Sequence, residues 1–392
     1  MRVLIPVRGL TRSSSIAQVQ VATAASPAPA AAAVKIQPEP VISDTRTSYR
    51  MQPTQRLYTE NKQVFYKERT IKVHSCEELY KEWKHTKPGW EHVSPNGFTL
   101  EVPFIHTGLD RGRLSGPTVV ALHGAPGSHR DFDALIPAID HVGANVIVPS
   151  FPDLRYSMKT QNYWHSLEEK VDLLKSYLET LNVEEIDVLL CHSSAMYSAI
   201  HLALKSRIKV NSMVFFAPSG CRQLSQLSPL ALFTWYNRQF RRPWAQKPMM
   251  ALAVGIIKAY SKPSTDTAGT VVSMMTMIQS RYDDAEPWCR ELQERGVPSL
   301  LMYGKRDKLI DVAISEEMAD FLGNPHKDTY YLYTGKDDTE AQLKQEGVSN
   351  YDLPEVVCFE QGSHFAFRKF PETYNYHVAN FLQRHIREKL GK

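Results

Sequence analysis

The chain has 392 residues, of which 43% are apolar and 22% charged, and its formal net charge is +4. That length supports a core of roughly 250–300 residues with appendages, and the charged fraction excludes wholesale disorder. So small a charge excess excludes the dense basic stripe of a nucleic-acid binder.

The first acidic residue is Glu39, preceded by Arg2, Arg8, Arg12 and Lys35, by Ser13–Ser15 and by an alanine-rich run from Ala22 to Ala33. A segment with Arg and Ser but no acid has the composition of a mitochondrial transit peptide. The alternative is a low-complexity tail on a cytoplasmic protein. Val3–Val7 is too short an apolar run for a secretory signal. Residues 1–45 therefore read as a disordered targeting or linker segment. Residues 46–97 form an N-terminal extension whose one helical pattern is Glu77–Lys84.

Nowhere is there a run of about 18 apolar residues, so no transmembrane helix is expected. The longest candidate, Met249–Ile257, stops at Lys258. The five cysteines are odd in number and include no C-x-x-C, which argues against a disulfide framework or a zinc site and fits a reducing compartment.

From about residue 98 strands alternate with helices. Thr99–His106 alternates like a partly exposed strand. Thr118–Leu122, Asn145–Pro149, Ile186–Leu190, Met213–Ala217, Ser299–Tyr303 and Val356–Phe359 are short apolar runs, the pattern of strands buried on both faces. Amphipathic stretches such as His165–Leu181 and Ala195–Ser206 lie between them. The alternation predicts an α/β fold with a mostly parallel sheet flanked by helices. Residues 221–290 interrupt the rhythm with aromatics and methionines, among them Phe233, Trp235, Tyr236, Phe240, Trp244, Met249, Met250, Met274, Met275 and Met277. They read as an inserted lid or cap, part helical core and part pocket lining. The core is then 98–220 and 291–392. A second, polar insertion at about 324–353 reads as a surface excursion.

Val188–Ala195 runs from an apolar strand through Cys-His-Ser-Ser-Ala into a helix. This is the small-x-Ser-x-small pattern of a nucleophile elbow. The turn brings strand and helix so close that the positions two before and two after the serine must be small. Ser193 has Cys191 and Ala195 there, whereas Ser194 has His192 and Met196, which selects Ser193. Neither flank is glycine, which narrows the fit. Ser194 follows the nucleophile and offers its N–H to an oxyanion hole.

A nucleophilic serine needs a base, and the base an orienting acid. After Ser299–Tyr303 comes Gly304-Lys-Arg-Asp307, at the sheet edge where such folds place their sites. Asp307 is the candidate acid, with a helix cap as its bland reading. Asp311, the nearest rival, reads as a first-turn residue of the next helix. After the last strand, Gly362-Ser-His364 offers the base, which would take the proton from Ser193 and return it to the leaving group. A second oxyanion donor comes from the turn after Thr118–Leu122, His123-Gly124-Ala125-Pro126-Gly127, where the Ala125 N–H is in position. Alone, that segment is a plain Gly/Pro turn.

With these four segments (HGAPG at 123–127, CHSSA at 191–195, YGKRD at 303–307 and GSH at 362–364) the chain resembles an α/β-hydrolase from about 98 to 392. The H-G-x-P-G form, supported by His123, Gly124 and Gly127, with His192 beside the serine, is similar to the branch containing epoxide hydrolases, dehalogenases and many esterases. In the first two groups the nucleophile is Asp, so a serine implies esterase, thioesterase, lipase or amidase chemistry. HGAPGSHRDF also resembles a group of nematode α/β-hydrolase-like proteins. Many relatives carry D-x-R-G-x-G after the strand at 145–149, whereas this chain has Asp153-Leu-Arg-Tyr-Ser157, without the glycines.

The expectation is a serine hydrolase acting on a small, apolar acyl substrate through an acyl-enzyme, with no metal or organic cofactor. The alternative is a non-catalytic relative that binds a small apolar ligand or a protein partner, suggested by the non-glycine elbow and the altered 153–157 loop. A lipase working at a membrane surface is a third reading, motivated by the Trp- and Met-rich lid and Arg238–Arg242.

Overall fold

Strands and helices alternate in the structure, a computed structural model that describes residues 66–91, 93–112, 115–224, 227–260, 266–347 and 353–386. The expected targeting segment at 1–45 lies outside these residues. The described chain opens with β1 (Arg69–Ser75), α1 (Glu77–Thr86), β2 (Phe98–His106), α2 (Thr107–Arg111), β3 (Thr118–Leu122), α3 (Ile136–Val142) and β4 (Asn145–Pro149). Next come α4 (Leu154–Thr160), α5 (Leu167–Thr180), β5 (Glu185–Ile186), β6 (Val188–His192), α6 (Ala195–Lys205), β7 (Lys209–Val210) and β8 (Met213–Phe216). Helices α7 (Leu230–Phe240), α8 (Gln246–Tyr260), α9 (Thr267–Ile278) and α10 (Tyr282–Glu294) precede β9 (Ser299–Gly304). The order closes with α11 (Val312–Phe321), β10 (Tyr331–Thr334), β11 (Gln342–Gln345), β12 (Glu355–Phe359) and α12 (Pro371–Ile386).

Ten strands form one sheet in the order β1-β2-β4-β3-β6-β8-β9-β12-β10-β11. From β4 to β10 every neighbouring pair is parallel. At the two ends, β1–β2, β2–β4 and β10–β11 are antiparallel. Strands β4, β6, β8, β9 and β12 are buried at every residue, and β3 at all but Thr118; their apolar side chains divide by parity. Leu189, Cys191, Phe215, Leu301 and Cys358 enter the core on one face with α5, α6, α10 and α11. Leu190, Val214, Phe216, Met302 and Val357 enter the other with α3 and α12. A period of two read against apolar residues at both parities can only be a sheet covered on both sides. Truncating one such residue, for example Leu190→Ala, should cost about 2–5 kcal/mol.

Sequence and structure differ at the sheet edges. Within the expected N-terminal extension, β1 pairs with β2 from Arg69↔Phe104 to Ser75↔Phe98, and Tyr80, Trp83 and Trp90 join the core. The stretch expected as a polar surface excursion carries β10 and β11, and β10 runs parallel to β12. The edge strands β1 and β11 keep a wet face, so their polarity hid them. The loop at 153–157 is the start of α4, where Asp153 Oδ1 accepts from the Tyr156 N–H at 3.0 Å. The capping box opening α5 reaches further than its own helix. Glu169 accepts from the Ser166 N–H at 2.9 Å, from the Tyr80 hydroxyl at 2.5 Å and from the Trp164 N–H at 2.9 Å, tying α1 to α5.

Candidate active site

Strand β6 ends at His192 and α6 begins at Ala195, so Ser193 and Ser194 make the whole turn. Ser193 has φ +55°, a left-handed conformation that costs a side-chain-bearing residue roughly 1–2 kcal/mol. Neighbouring backbone holds it there: its N–H donates to Phe216 O at 2.9 Å, and its carbonyl accepts from the Ser219 N–H at 3.3 Å. The small side chains of Cys191 and Ala195, on either side of the turn, are both buried.

The 123–127 loop crosses directly over this turn. A Cβ on Gly124 would lie 3.0 Å from Ser193 Cβ and 3.1 Å from His192 Nδ1. One on Gly127 would lie 2.6 Å from Asp131 Oδ2. His123 fixes the loop from within: Nδ1 donates to Gly124 O at 2.7 Å, and Nε2 accepts from the Phe151 N–H at 2.9 Å. Burial pushes the pKa of this imidazole down to about 4, so it stays neutral in that tautomer. Neither the Ala125 N–H nor the Ser194 N–H donates to another group among the described residues.

His364 reaches back over the sheet from the turn after β12. Its Nε2 lies 2.9 Å from Ser193 Oγ and its Nδ1 lies 2.6 Å from Asp307 Oδ2. Those partners assign the proton to Nδ1 and leave Nε2 to accept from the serine hydroxyl. The other carboxylate oxygen of Asp307 accepts the N–H groups of Leu309 at 2.8 Å and Ile310 at 3.0 Å. Asp307 therefore serves its own turn and the imidazole together. Asp311 caps α11, accepting from the Ala313 N–H at 3.0 Å. His192 packs under the site: its Nε2 donates to the His364 carbonyl at 3.2 Å, and the two rings are 4.9 Å apart. Burial, then the nearby His364, hold its pKa well below the usual range.

Helix α9 spans the same region. At one end a Cβ on Gly269 would come within 2.9 Å of Pro126 Cγ, and at the other Met277 Sδ lies 3.8 Å from Ser219 Oγ. Met275 and Met277 are buried, and Met249, Met250 and Met274 are half-buried. Trp235 and Trp244, grouped with them in the sequence reading, face solvent. Two features escaped that reading. Lys170 is buried on α5 and donates to Thr276 Oγ1 on α9 at 2.8 Å, although a lysine in an amphipathic helix reads as solvent-facing. Gly304 and Gly362 meet backbone to backbone, and their only signal was glycine in both flanking motifs. Among the described residues no group of His, Cys, Asp and Glu is arranged to hold a metal ion.

A mostly parallel sheet with a strained serine turn at the end of a central strand, facing a histidine and an aspartate from later loops, is the arrangement of an α/β hydrolase. The chain belongs to the family described as alpha/beta hydrolase of unknown function (DUF1057), whose model matches residues 108–382. Among curated proteins it is similar to an uncharacterized hydrolase, YugF, of Bacillus subtilis, at 21% identity over 68% of this chain and 90% of the other. An uncharacterized protein of Caenorhabditis elegans is 21% identical over 65% of this chain and 74% of its own length. Among solved structures, a thermophilic esterase from Thermogutta terrifontis has a TM-score of 0.51 at 15% identity, covering 81% of this chain and 99% of that one. At that identity the likeness concerns the fold. Family and fold are those of hydrolases.

Proposed function

We propose that the protein is a serine hydrolase that cleaves an ester, thioester or amide through an acyl-enzyme. The observation that carries this reading is the His364 imidazole, 2.9 Å from Ser193 Oγ on one side and 2.6 Å from Asp307 Oδ2 on the other. Ser193 Oγ attacks the acyl carbonyl while His364 Nε2 takes its proton. Asp307 holds the Nδ1–H tautomer and stabilises the imidazolium. The Ala125 and Ser194 N–H groups donate to the tetrahedral oxyanion, each worth roughly 3–4 kcal/mol in the transition state. His364 then protonates the leaving group, activates water, and the acyl group is released. The helices between β8 and β9 act as a lid, and the methionines of α9 suit an apolar acyl chain.

A fluorophosphonate probe tests this directly. The wild type should label, Ser194→Ala should label, and Ser193→Ala should not. A folded wild type that resists the probe, or label retained in Ser193→Ala, would overturn the assignment. Mitochondrial import is proposed separately, on the acid-free Arg- and Ser-containing stretch before Glu39. Its test is the location of a fluorescent protein fused to residues 1–45.

A further inference from the structure

Between Asp187 and Asp266 the sequence contains no acidic residue. Inside that stretch, α7, α8 and the turn between them carry most of the large apolar side chains left in solvent among the described residues. Leu232, Trp235, Trp244, Leu252 and Ile256 are each 47–72% exposed. The two helices pack on each other, with the Tyr236 hydroxyl donating to Met249 O at 2.6 Å. Their inward faces are thus already used, by Tyr236, Phe240 and Ala253. On α8 the exposed positions Pro248, Leu252, Ile256 and Ala259 recur at helical spacing and form an uncharged stripe. Arg238, Arg242, Lys247 and Lys258 flank these positions, and none pairs with a carboxylate among the described residues. Elsewhere the exposed cations are commonly paired, as in Lys205–Glu291 and Arg290–Glu286.

Isolated exposed apolar residues need no explanation, but a cluster on adjacent elements does. Here the charged side chains that the two helices and their connecting turn themselves carry are all basic. We propose that the outer side of α7, α8 and their connecting turn is a docking surface for an anionic lipid bilayer. Trp and Leu side chains enter the headgroup–acyl boundary, and the Arg and Lys side chains lie along it with their charges at the phosphate level. No described helix is long and apolar enough to cross a membrane, so the contact is peripheral. The inference does not depend on the chemistry at Ser193.

The test is flotation of the full chain with phosphatidylcholine vesicles, with and without phosphatidylserine. Binding should require phosphatidylserine, weaken with salt, and shift tryptophan emission to the blue. Each basic residue near the surface should contribute about fivefold to binding, so Lys247→Glu/Lys258→Glu should lose at least about twentyfold. Trp235→Ser/Trp244→Ser should lose at least about tenfold. Both variants should keep the wild-type Tm and Ser193 labelling. No binding to anionic vesicles at low salt, or unchanged binding by both variants, would overturn the proposal. So would a Trp235→Ser/Trp244→Ser chain that turns from dimer to monomer in sedimentation while vesicle binding is unaffected, which would assign the surface to a second copy of the chain.

Discussion

Gly304 and Gly362 lie so close that neither has room for a Cβ. One built on Gly304 would fall 2.3 Å from the Gly362 carbonyl carbon, and one on Gly362 would fall 2.9 Å from Gly304 Cα. The Arg306 N–H donates to Gly362 O at 2.8 Å beside this contact. Asp307 follows directly after the first glycine turn and His364 after the second, so the spacing of acid and base is set by backbone against backbone. Gly304→Ala must push the two turns apart. We expect a stability loss of about 1–3 kcal/mol or more, read as a lower Tm, and in the folded fraction a loss of Ser193 labelling. A variant with wild-type Tm and wild-type labelling would show that the two turns have room for a methyl group.

Asp307→Asn separates the two duties of that side chain. The turn needs only an oxygen to accept the Leu309 and Ile310 N–H groups, and Asn supplies one. The imidazole needs a negative charge that accepts at Nδ1, and Asn does not. Labelling or turnover should fall by about 10³–10⁴ with the fold kept. Asp311→Asn is the internal control. It touches only the cap of α11, so labelling should stay unchanged and stability shift by less than about 1 kcal/mol. Equal losses in the two variants would remove any special role from Asp307.

The central fold was legible because parallel strands buried on both faces have a distinctive sequence pattern: Val188–Leu190 and Ser299–Tyr303 are apolar without interruption. Ser193 could be picked over Ser194 from steric considerations at positions 191 and 195. Asp307 is told from Asp311 in the sequence by position, just after a strand rather than in the first turn of a helix, and the structure places the Asp307 and His364 side chains 2.6 Å apart. The edges were illegible for the opposite reason. In β11, Gln342–Gln345 shows only Leu343 as an apolar residue, and in β1 the alternation Ile71, Val73 is too short to stand out. Nor could a one-dimensional pattern separate the methionines turned inward on α9 from Trp235 and Trp244 turned outward, since all sit in one apolar-rich stretch. Exposure there is a property of how α7 and α8 pack.

Backbone strain at Ser193 gives a prediction independent of any substrate. Its φ of +55° suits glycine and penalises any side chain. Both Ser193→Gly and Ser193→Ala lose the hydroxyl and with it the bond to His364. They differ in the Cβ, and so in the strain. Ser193→Gly should therefore unfold at a higher temperature than Ser193→Ala, by about 1 kcal/mol in stability. The reverse order would mean that the turn is relaxed and that the elbow stores no strain.

Lys170 supplies the pH dependence. It is buried on α5 with its Nζ on Thr276 Oγ1 at 2.8 Å, and burial, opposed by the neighbouring Glu169, pushes its pKa down to about 7. In the unfolded chain a lysine titrates near its ordinary value of about 10.4. Between these two values the unfolded state binds the proton and the folded state does not, so stability rises with pH across that window, by up to about 1.4 kcal/mol per unit from this group. Below about 7 both states are charged, and the destabilisation is constant and at its largest. Lys170→Met removes the titration and keeps the volume, at the loss of one hydrogen bond worth about 1 kcal/mol. The variant should be more stable than the wild type at neutral pH, and its advantage should shrink steadily as pH rises from about 7 towards 10. Tyrosine and cysteine titrations at high pH act in both chains and cancel in the difference. Urea melts of the two chains at a series of pH values measure that difference, and a difference that stays flat with pH would mean that Lys170 keeps its charge in the folded protein.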